Sequence, residues 1–273
     1  MCTLDGCGEH QNLPPLIVAE TDRRAFLAGL LTLPLAAVLA DPALAQAQGA
    51  TAQPFSIDTM GGAKASGVIA KPKQWPAPAV VLVHEWWGLN DQIKSVAVEL
   101  ANQGYVAIAV DLFGGQVTND PAVAKNLVAT LNTEKALDVM TSVIYWARDL
   151  TEVNGKVGTC GWCFGGAWSL NASMAAPVNA TVIYYGNVDR TVNQLESLVG
   201  PVLGHFATKD TSIPEAQVKQ FAQNMLKADK PLQIYWYDAD HAFANPTSAR
   251  YDAADAALAW QRTLAFFQQN LTT

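Results

Sequence analysis

Residues 161–166, with the sequence Gly-Trp-Cys-Phe-Gly-Gly, constrain the fold of this 273-residue chain more than any other stretch. An apolar run, 156–160, precedes them, and a run compatible with a helix, 167–176, follows. Strand, glycine-flanked reactive residue and helix are typical of a nucleophile elbow, a turn so tight that its flanking positions must be small. Cys163 would stand at the tip, where a helix start favours an anion. Alternatively, Cys163 is a buried structural thiol beside glycines that close packing requires.

An arginine pair and an apolar run lie near the N-terminus. Arg23 and Arg24 precede the uncharged run 25–40, and the small-x-small sequence Ala-Leu-Ala ends at Ala45. This order predicts a secretory signal, and the pair followed by Phe-Leu resembles a twin-arginine signal. The alternative, a membrane-spanning helix, is disfavoured because the run is short and contains a proline. We expect residues 1–45 to be removed, by cleavage after Ala45 or alternatively after Ala47, and the protein to be periplasmic or secreted.

Removal of that segment leaves residues 46–273, which carry 15 basic and 19 acidic side chains and a net charge of −4. That charge is ordinary for solubility and argues against nucleic acid or an anionic membrane as a partner. Only Cys160 and Cys163 remain, so no disulfide framework is expected. The length suits one α/β domain with a full core. We expect this single domain to be a monomer that is not membrane-bound.

The body of the chain alternates β-branched apolar runs with amphipathic ones. The predicted strands are 54–58, 64–70, 79–83, 105–110, 157–160, 180–185, 202–207 and 232–237. The predicted helices are 92–103, 121–130, 134–150, 167–176, 214–228 and 251–270. This alternation predicts an α/β fold, a mostly parallel sheet doubly wound by helices. In such sheets the chemistry gathers at the carboxyl ends of the strands.

Four reactive side chains follow predicted strands and would therefore share one edge of the sheet. They are Glu85, Cys163, Asp210 and His241. The order nucleophile, acid, histidine is that of α/β-hydrolases. Taken singly, Asp210 is explained equally well as a helix cap and His241 as a packed or surface histidine. The coincidence of order and position favours a catalytic constellation.

These residues resemble the dienelactone hydrolases, or carboxymethylenebutenolidases, over about residues 66–267. The resemblance rests on HEWWGLN from His84, DLFGG from Asp111, GWCFGG from Gly161, HAFA from His241, and Asp210 four residues before Pro214. It implies an α/β-hydrolase fold and a small-molecule lactone or ester substrate, cleaved through an acyl-enzyme. It implies no cofactor, and the histidines lack metal-ligand spacing, so no metal is expected either.

The resemblance also implies a role for each of the four residues. Cys163 would be the nucleophile, His241 the acid and base, and Asp210 the residue that orients the imidazole. Glu85 would take the thiol proton when substrate binds.

The resemblance implies an oxyanion hole as well. The backbone N–H groups of Phe164 and Trp86 would bind the oxygen of the tetrahedral intermediate. The aromatic side chains of Trp87, Phe113 and Trp162 suggest an apolar substrate pocket, although core packing would explain several of them equally well.

The chain departs from the family at the substrate carboxylate. The family's two carboxylate-binding arginines fall at Gly115 and Asn245 here, so both guanidinium groups are absent. Arg250 is the candidate for reaching in from elsewhere. The resemblance therefore implies the reaction class, whereas the substrate need not be dienelactone.

Two other function classes stay open at this point. Cys160 and Cys163 match C-x-x-C, so an exported thiol-disulfide oxidoreductase is possible in principle. That interpretation leaves Glu85, Asp210 and His241 without a role. A non-catalytic binding module on a hydrolase fold is the other alternative, and the intact nucleophile, acid and base argue against it.

Overall fold

The computed structural model of the protein describes residues 41–272. Within them, eight strands form one sheet: β1 Gln53–Asp58, β2 Lys64–Ala70, β3 Ala77–Val83, β4 Val106–Asp111, β5 Val153–Trp162, β6 Ala180–Tyr184, β7 Val202–Ala207 and β8 Leu232–Tyr237. The helices of the same range are α1 Pro42–Gly49, α2 Asp91–Asn102, α3 Pro121–Thr130, α4 Thr133–Asp149, α5 Phe164–Ala175, α6 Val192–Leu195, α7 Glu215–Lys227 and α8 Ala253–Leu271.

The sheet has the strand order β1-β2-β4-β3-β5-β6-β7-β8. β1 and β2 pair antiparallel, as do β2 and β4, whereas every pair from β4 across to β8 is parallel. The predicted α/β fold with a mostly parallel sheet is confirmed. Because six strands are parallel, the segments that follow them emerge at one edge of the sheet.

Helices cover both faces of this sheet. Every residue of β3 is buried. Val80 and Leu82 pack in a cluster with residues of α2 and α8, whereas Val81 and Val83 pack in a second cluster with residues of α4 and α5. Side chains alternate between the faces of a strand, so a strand covered on both faces reads as one continuous apolar run.

Some elements differ from the sequence prediction. β5 begins at Val153 rather than at residue 157, and α5 begins directly after Cys163 rather than at residue 167. The polar start of β5 contains Gly155 in the left-handed region (φ 83°), and its register against β3 is irregular. α6 has only four residues, too few for a periodic pattern to reveal it.

α1 crosses the predicted end of the signal segment. The Asp41 side chain caps this helix by accepting hydrogen bonds from the N–H groups of Ala43 and Leu44. The Ser95 hydroxyl of α2 donates to the Ala45 carbonyl over 2.6 Å. The rest of the predicted signal lies outside the described residues, so cleavage after Ala45 or Ala47 stays a prediction. None of the helices between residues 41 and 272 is long and apolar enough to cross a membrane.

Candidate active site

Cys163 occupies the tip of a sharp turn between β5 and α5. It is the single residue between the two elements, and its φ of 55° and ψ of −115° lie outside the regular regions for an L-residue. A Cβ at Gly161 would collide with the Gly165 carbonyl, and a Cβ at Gly165 would collide with the Val83 carbonyl. The two glycines are therefore required by backbone contact, as the elbow pattern predicts. Backbone strain of this kind is found mostly at functional sites.

The structure brings Cys163, His241 and Asp210 into one hydrogen-bonded chain. His241 Nδ1 lies 2.7 Å from Asp210 Oδ2, and His241 Nε2 lies 3.2 Å from Cys163 Sγ. Because a carboxylate can only accept, Nδ1 carries the imidazole proton and Nε2 is left to accept a hydrogen bond from the thiol. This arrangement has the geometry of a nucleophile, a base and the acid that orients the base.

Asp210 both turns the backbone and holds the histidine. Its Oδ1 accepts from the N–H groups of Ser212, at 2.7 Å, and Ile213, at 3.0 Å, which leaves Oδ2 for His241. Burial works to raise the pKa of Asp210. The hydrogen bond and charge of His241, with the two N–H groups, outweigh burial and hold that pKa below its ordinary value. The carboxylate therefore stays ionised beside the imidazole.

The Cys163 thiol is neutral in this arrangement. Burial, reinforced by the Glu85 carboxylate, raises the pKa of Cys163 to about 12, against the Phe164 N–H, which favours the thiolate. Asp210 raises this pKa further and Arg250 lowers it. At neutral pH the free enzyme thus holds a thiol whose proton must be removed before the sulfur can attack a carbonyl.

Glu85 lies directly after β3 and is buried, with 4% of its surface exposed. Asn245, which is also buried, donates from Nδ2 to Glu85 Oε2. Burial raises the pKa of Glu85 to about 7, although His241, Asn245, Tyr185 and Arg250 all act to lower it. Glu85 therefore changes charge near neutral pH, as a general base requires.

The two predicted oxyanion donors follow neighbouring parallel strands, Phe164 after β5 and Trp86 after β3. Phe164 is the first residue of α5, and its N–H interacts with the Cys163 sulfur. Trp86 follows Glu85 in the segment after β3. Among residues 41–272, no protein acceptor receives a hydrogen bond from its N–H, which leaves that group available to a ligand.

The aromatic residues predicted to line a substrate pocket differ in burial. Trp162 is buried in the core and stacks on Tyr184, with ring centroids 5.3 Å apart. Phe113 is also buried, at 4.8 Å from the His84 ring. Core packing explains the burial of both rings, and their assignment as pocket walls stays a prediction. Trp87 is half-buried and lies 4.7 Å from the Trp86 ring.

The positions of the missing arginines differ from each other in the structure. Gly115 is exposed, with φ at 85°, and a Cβ added there would meet open space. Asn245 is buried against Glu85. Arg250 is exposed, and its charge acts on both Glu85 and Cys163. Arg250 is thus the cation that the structure places near the site.

Sequence analysis assigns no role to two residues that the structure places beside the site. His84 ties two loops together, because its Nδ1 lies 2.6 Å from the Glu85 carbonyl and its Nε2 accepts from the Leu112 N–H at 3.2 Å. Tyr185 was predicted inside a strand, but β6 ends at Tyr184, and the Tyr185 ring contacts His241 edge-on at 5.2 Å. Tyr185 directly follows the buried parallel strand β6. A position just after a strand is also the sequence signal that identifies the other site residues.

The structure does not favour the dithiol interpretation. Cys160 and Cys163 are both free thiols, and Cys160 is fully buried in the core. Burial raises the pKa of Cys160 well above its ordinary value.

Residues 41–272 contain no group of three histidine, cysteine or acidic side chains that could hold a metal ion.

Comparison with known proteins agrees with this geometry. The sequence profile of the Dienelactone hydrolase family matches residues 65–271. A carboxymethylenebutenolidase from Pseudomonas putida is 31% identical over 223 residues, which cover 78% of this chain and 94% of the relative. Carboxymethylenebutenolidase 1 from Cupriavidus pinatubonensis is 26% identical over 218 residues, covering 76% of this chain and 93% of the relative.

A solved structure also shares the fold of this chain. A Klebsiella pneumoniae protein assigned as a dienelactone hydrolase superposes with a TM-score of 0.72 at 31% identity, covering 80% of this chain and 98% of that one. Its coverage includes nearly the whole of the solved chain. The chain with its Cys163, His241 and Asp210 geometry belongs to the dienelactone hydrolase family, whose members hydrolyse ester or lactone bonds.

Proposed function

We propose that this protein hydrolyses lactones or esters with Cys163 as its nucleophile, through an acyl-enzyme. The observation that carries the proposal is the chain from Cys163 Sγ through His241 to Asp210, at 3.2 Å and 2.7 Å, on the strained elbow turn. A thiol, a base and an orienting carboxylate in series are what covalent acyl transfer needs.

In the acylation step, the Cys163 thiol loses its proton and its sulfur attacks the substrate carbonyl carbon. The carbonyl π electrons move to oxygen, and the N–H groups of Phe164 and Trp86 bind that oxyanion. Loss of one such donor costs about 3–4 kcal/mol in hydrolases that use them. The intermediate collapses, the ester or ring oxygen leaves with the proton that the thiol gave up, and a thioester remains on Cys163.

Glu85 is suited to take the thiol proton. Its negative charge opposes ionisation of Cys163, and transfer of the proton to Glu85 removes that charge. Its raised pKa makes it a stronger base than an ordinary carboxylate. In deacylation, His241 takes a proton from water and the resulting hydroxide attacks the thioester. The Cys163 sulfur then leaves and recovers that proton from His241, so both side chains return to their starting states.

The substrate is expected to be neutral beside the reacting carbonyl, since Gly115 and Asn245 stand where the family's arginines would bind a carboxylate. We expect kcat/KM for a neutral lactone or aryl ester to equal or exceed that for its carboxylated analogue. The measurement is a matched pair of substrates assayed with the purified protein.

A tenfold or larger preference for the carboxylate, about 1.4 kcal/mol, would contradict this expectation. Arg250→Gln is the variant to assay beside it, because Arg250 is exposed and its charge acts on the site. A carboxylate preference that disappears in Arg250→Gln would assign the missing arginines' role to that residue.

We also propose that the protein is exported through its twin-arginine segment. Changing Arg23 and Arg24 together to lysine should leave the precursor in the cytoplasm, since this route reads the arginines themselves. Cell fractionation with N-terminal sequencing of the exported form measures both the route and the cleavage position. Export of the double-lysine variant at the wild-type level would contradict the twin-arginine assignment.

A further inference from the structure

Only one of the two carboxylate oxygens of Glu85 has a hydrogen-bond partner among the described residues. Its Oε2 accepts from Asn245 Nδ2, whereas its Oε1 is buried without a hydrogen-bond partner. Buried polar atoms without partners are rare in folded proteins, and each calls for a reason. The oxygen without a partner, Oε1, belongs to the residue that takes the Cys163 proton in the proposed mechanism.

The partner of the filled oxygen cannot turn around. Asn245 Oδ1 accepts from the Thr247 N–H, at 2.9 Å, and from the Thr247 hydroxyl, at 2.7 Å. A flipped amide would lose both bonds, so Asn245 presents its N–H to Glu85 and not its oxygen. A fixed donor favours the ionised form of the carboxylate that faces it.

Tyr185 supplies a second donor that acts on the Glu85 carboxylate. Its side chain is fully buried, and its hydroxyl, like Glu85 Oε1, has no hydrogen-bond partner. The hydroxyl is close enough to interact with the Glu85 carboxylate, although the two oxygens do not form an aligned hydrogen bond here.

The backbone of Tyr185 is strained. Its φ of 36° lies in the left-handed region, which a tyrosine rarely adopts. Its N–H donates to the His205 carbonyl at 2.8 Å, and its ring packs edge-on against His241 and Phe243. A strained, fully buried residue that contacts the catalytic imidazole has the features of a functional position.

We propose that Tyr185 and Asn245 are positioning residues that hold the two oxygens of Glu85 and set the pH at which Glu85 can take the Cys163 proton. The inference rests on the proposed function, since it assigns the control of that site's base. It adds Tyr185, whose hydroxyl has no hydrogen-bond partner and acts on the Glu85 carboxylate.

Several groups act on Glu85 besides these two. The other titratable or charged side chains that interact with it are Cys163, His241 and Arg250. Burial raises the pKa of Glu85, and His241, Asn245, Tyr185 and Arg250 lower it. Removing a hydroxyl that donates to the ionised form should therefore raise that pKa further and move the onset of activity to higher pH.

The test is the pH dependence of kcat/KM for a neutral aryl ester. In Tyr185→Phe we expect the acidic limb to move upward by about half a pH unit or more, which is about a threefold loss well below the limb and little loss on the plateau. Asn245→Ala should move the limb in the same direction. Tyr185→Phe keeps the buried ring and its packing, so the melting temperature should stay close to the wild-type value.

Tyr184→Phe is the matched control. The neighbouring hydroxyl lies 2.6 Å from Thr263 Oγ1, so its loss should lower stability and leave the limb in place. If Tyr185→Phe and Asn245→Ala keep the wild-type limb while activity still depends on Cys163, this proposal is overturned and the proposed function stands. If turnover survives Cys163→Ala, the proposed function itself is wrong.

Discussion

Cys163→Ala is expected to lower kcat/KM for esters and lactones by at least about three orders of magnitude, since the proposed mechanism takes its attacking atom from this residue. Its side chain is partly exposed at the tip of the elbow, so little packing is lost. The melting temperature should stay within about 5 °C of the wild-type value. Ester hydrolysis and thermal unfolding of the same preparations measure the two effects.

Cys160→Ala is the matched control for that experiment. Cys160 lies three residues earlier, fully buried, and has no contact with the triad among the hydrogen bonds of residues 41–272. We expect this variant to keep its turnover and to lose about 1 kcal/mol of stability from the truncated core side chain. Equal loss of activity in both variants would favour a dithiol mechanism over a single nucleophile.

Glu85→Gln is expected to slow turnover and stabilise the fold at once. Burial raises the folded-state pKa of Glu85 to about 7, from an ordinary value of 4.5. Below the unfolded pKa both states are protonated, and this group costs nothing. Its cost to folding grows as the pH rises from about 4.5 to about 7, and it is largest above that window.

The expected gain from Glu85→Gln is about 1–3 kcal/mol at pH 8, and it should vanish near pH 4. The glutamine oxygen can still accept from Asn245, and its amide can donate to the unpartnered Tyr185 hydroxyl. Urea unfolding at the two pH values measures the gain. Activity should fall by about two to four orders of magnitude, the usual contribution of a general base.

Glu196→Gln controls for the loss of one negative charge, because Glu196 is exposed at the end of α6. It should change neither stability nor turnover measurably. If Glu85→Gln is no more stable than the wild type at pH 8, then Glu85 is not held ionised at a cost. The buried-base interpretation would then be wrong.

Much of the fold could be predicted from local sequence. β2, β7, β8 and α3 have the predicted bounds, because each is a compact run with clear turn residues at its ends. The elbow was recognisable because Gly161 and Gly165 leave no room for a Cβ. The residues that follow each parallel strand could be brought together by topology alone.

The contacts that tune the site could not be predicted in this way. Glu85 and Asn245 are 160 residues apart in sequence, and nothing local pairs them. Trp162 stacks on Tyr184, a contact that the sequence next to Cys163 does not reveal. Side-chain partners of this kind depend on how distant segments pack.

The most direct test of Cys163 as the nucleophile is to trap the acyl-enzyme. The protein is mixed with a stoichiometric excess of an activated aryl ester, and the reaction is stopped with acid within its first turnover. The protein is then digested and its peptides are analysed by mass spectrometry. We predict one acyl group per chain, carried as a thioester by the peptide that contains Cys163, and no such adduct in Cys163→Ala. A burst of released aryl alcohol with the acyl group on any other residue would contradict the mechanism.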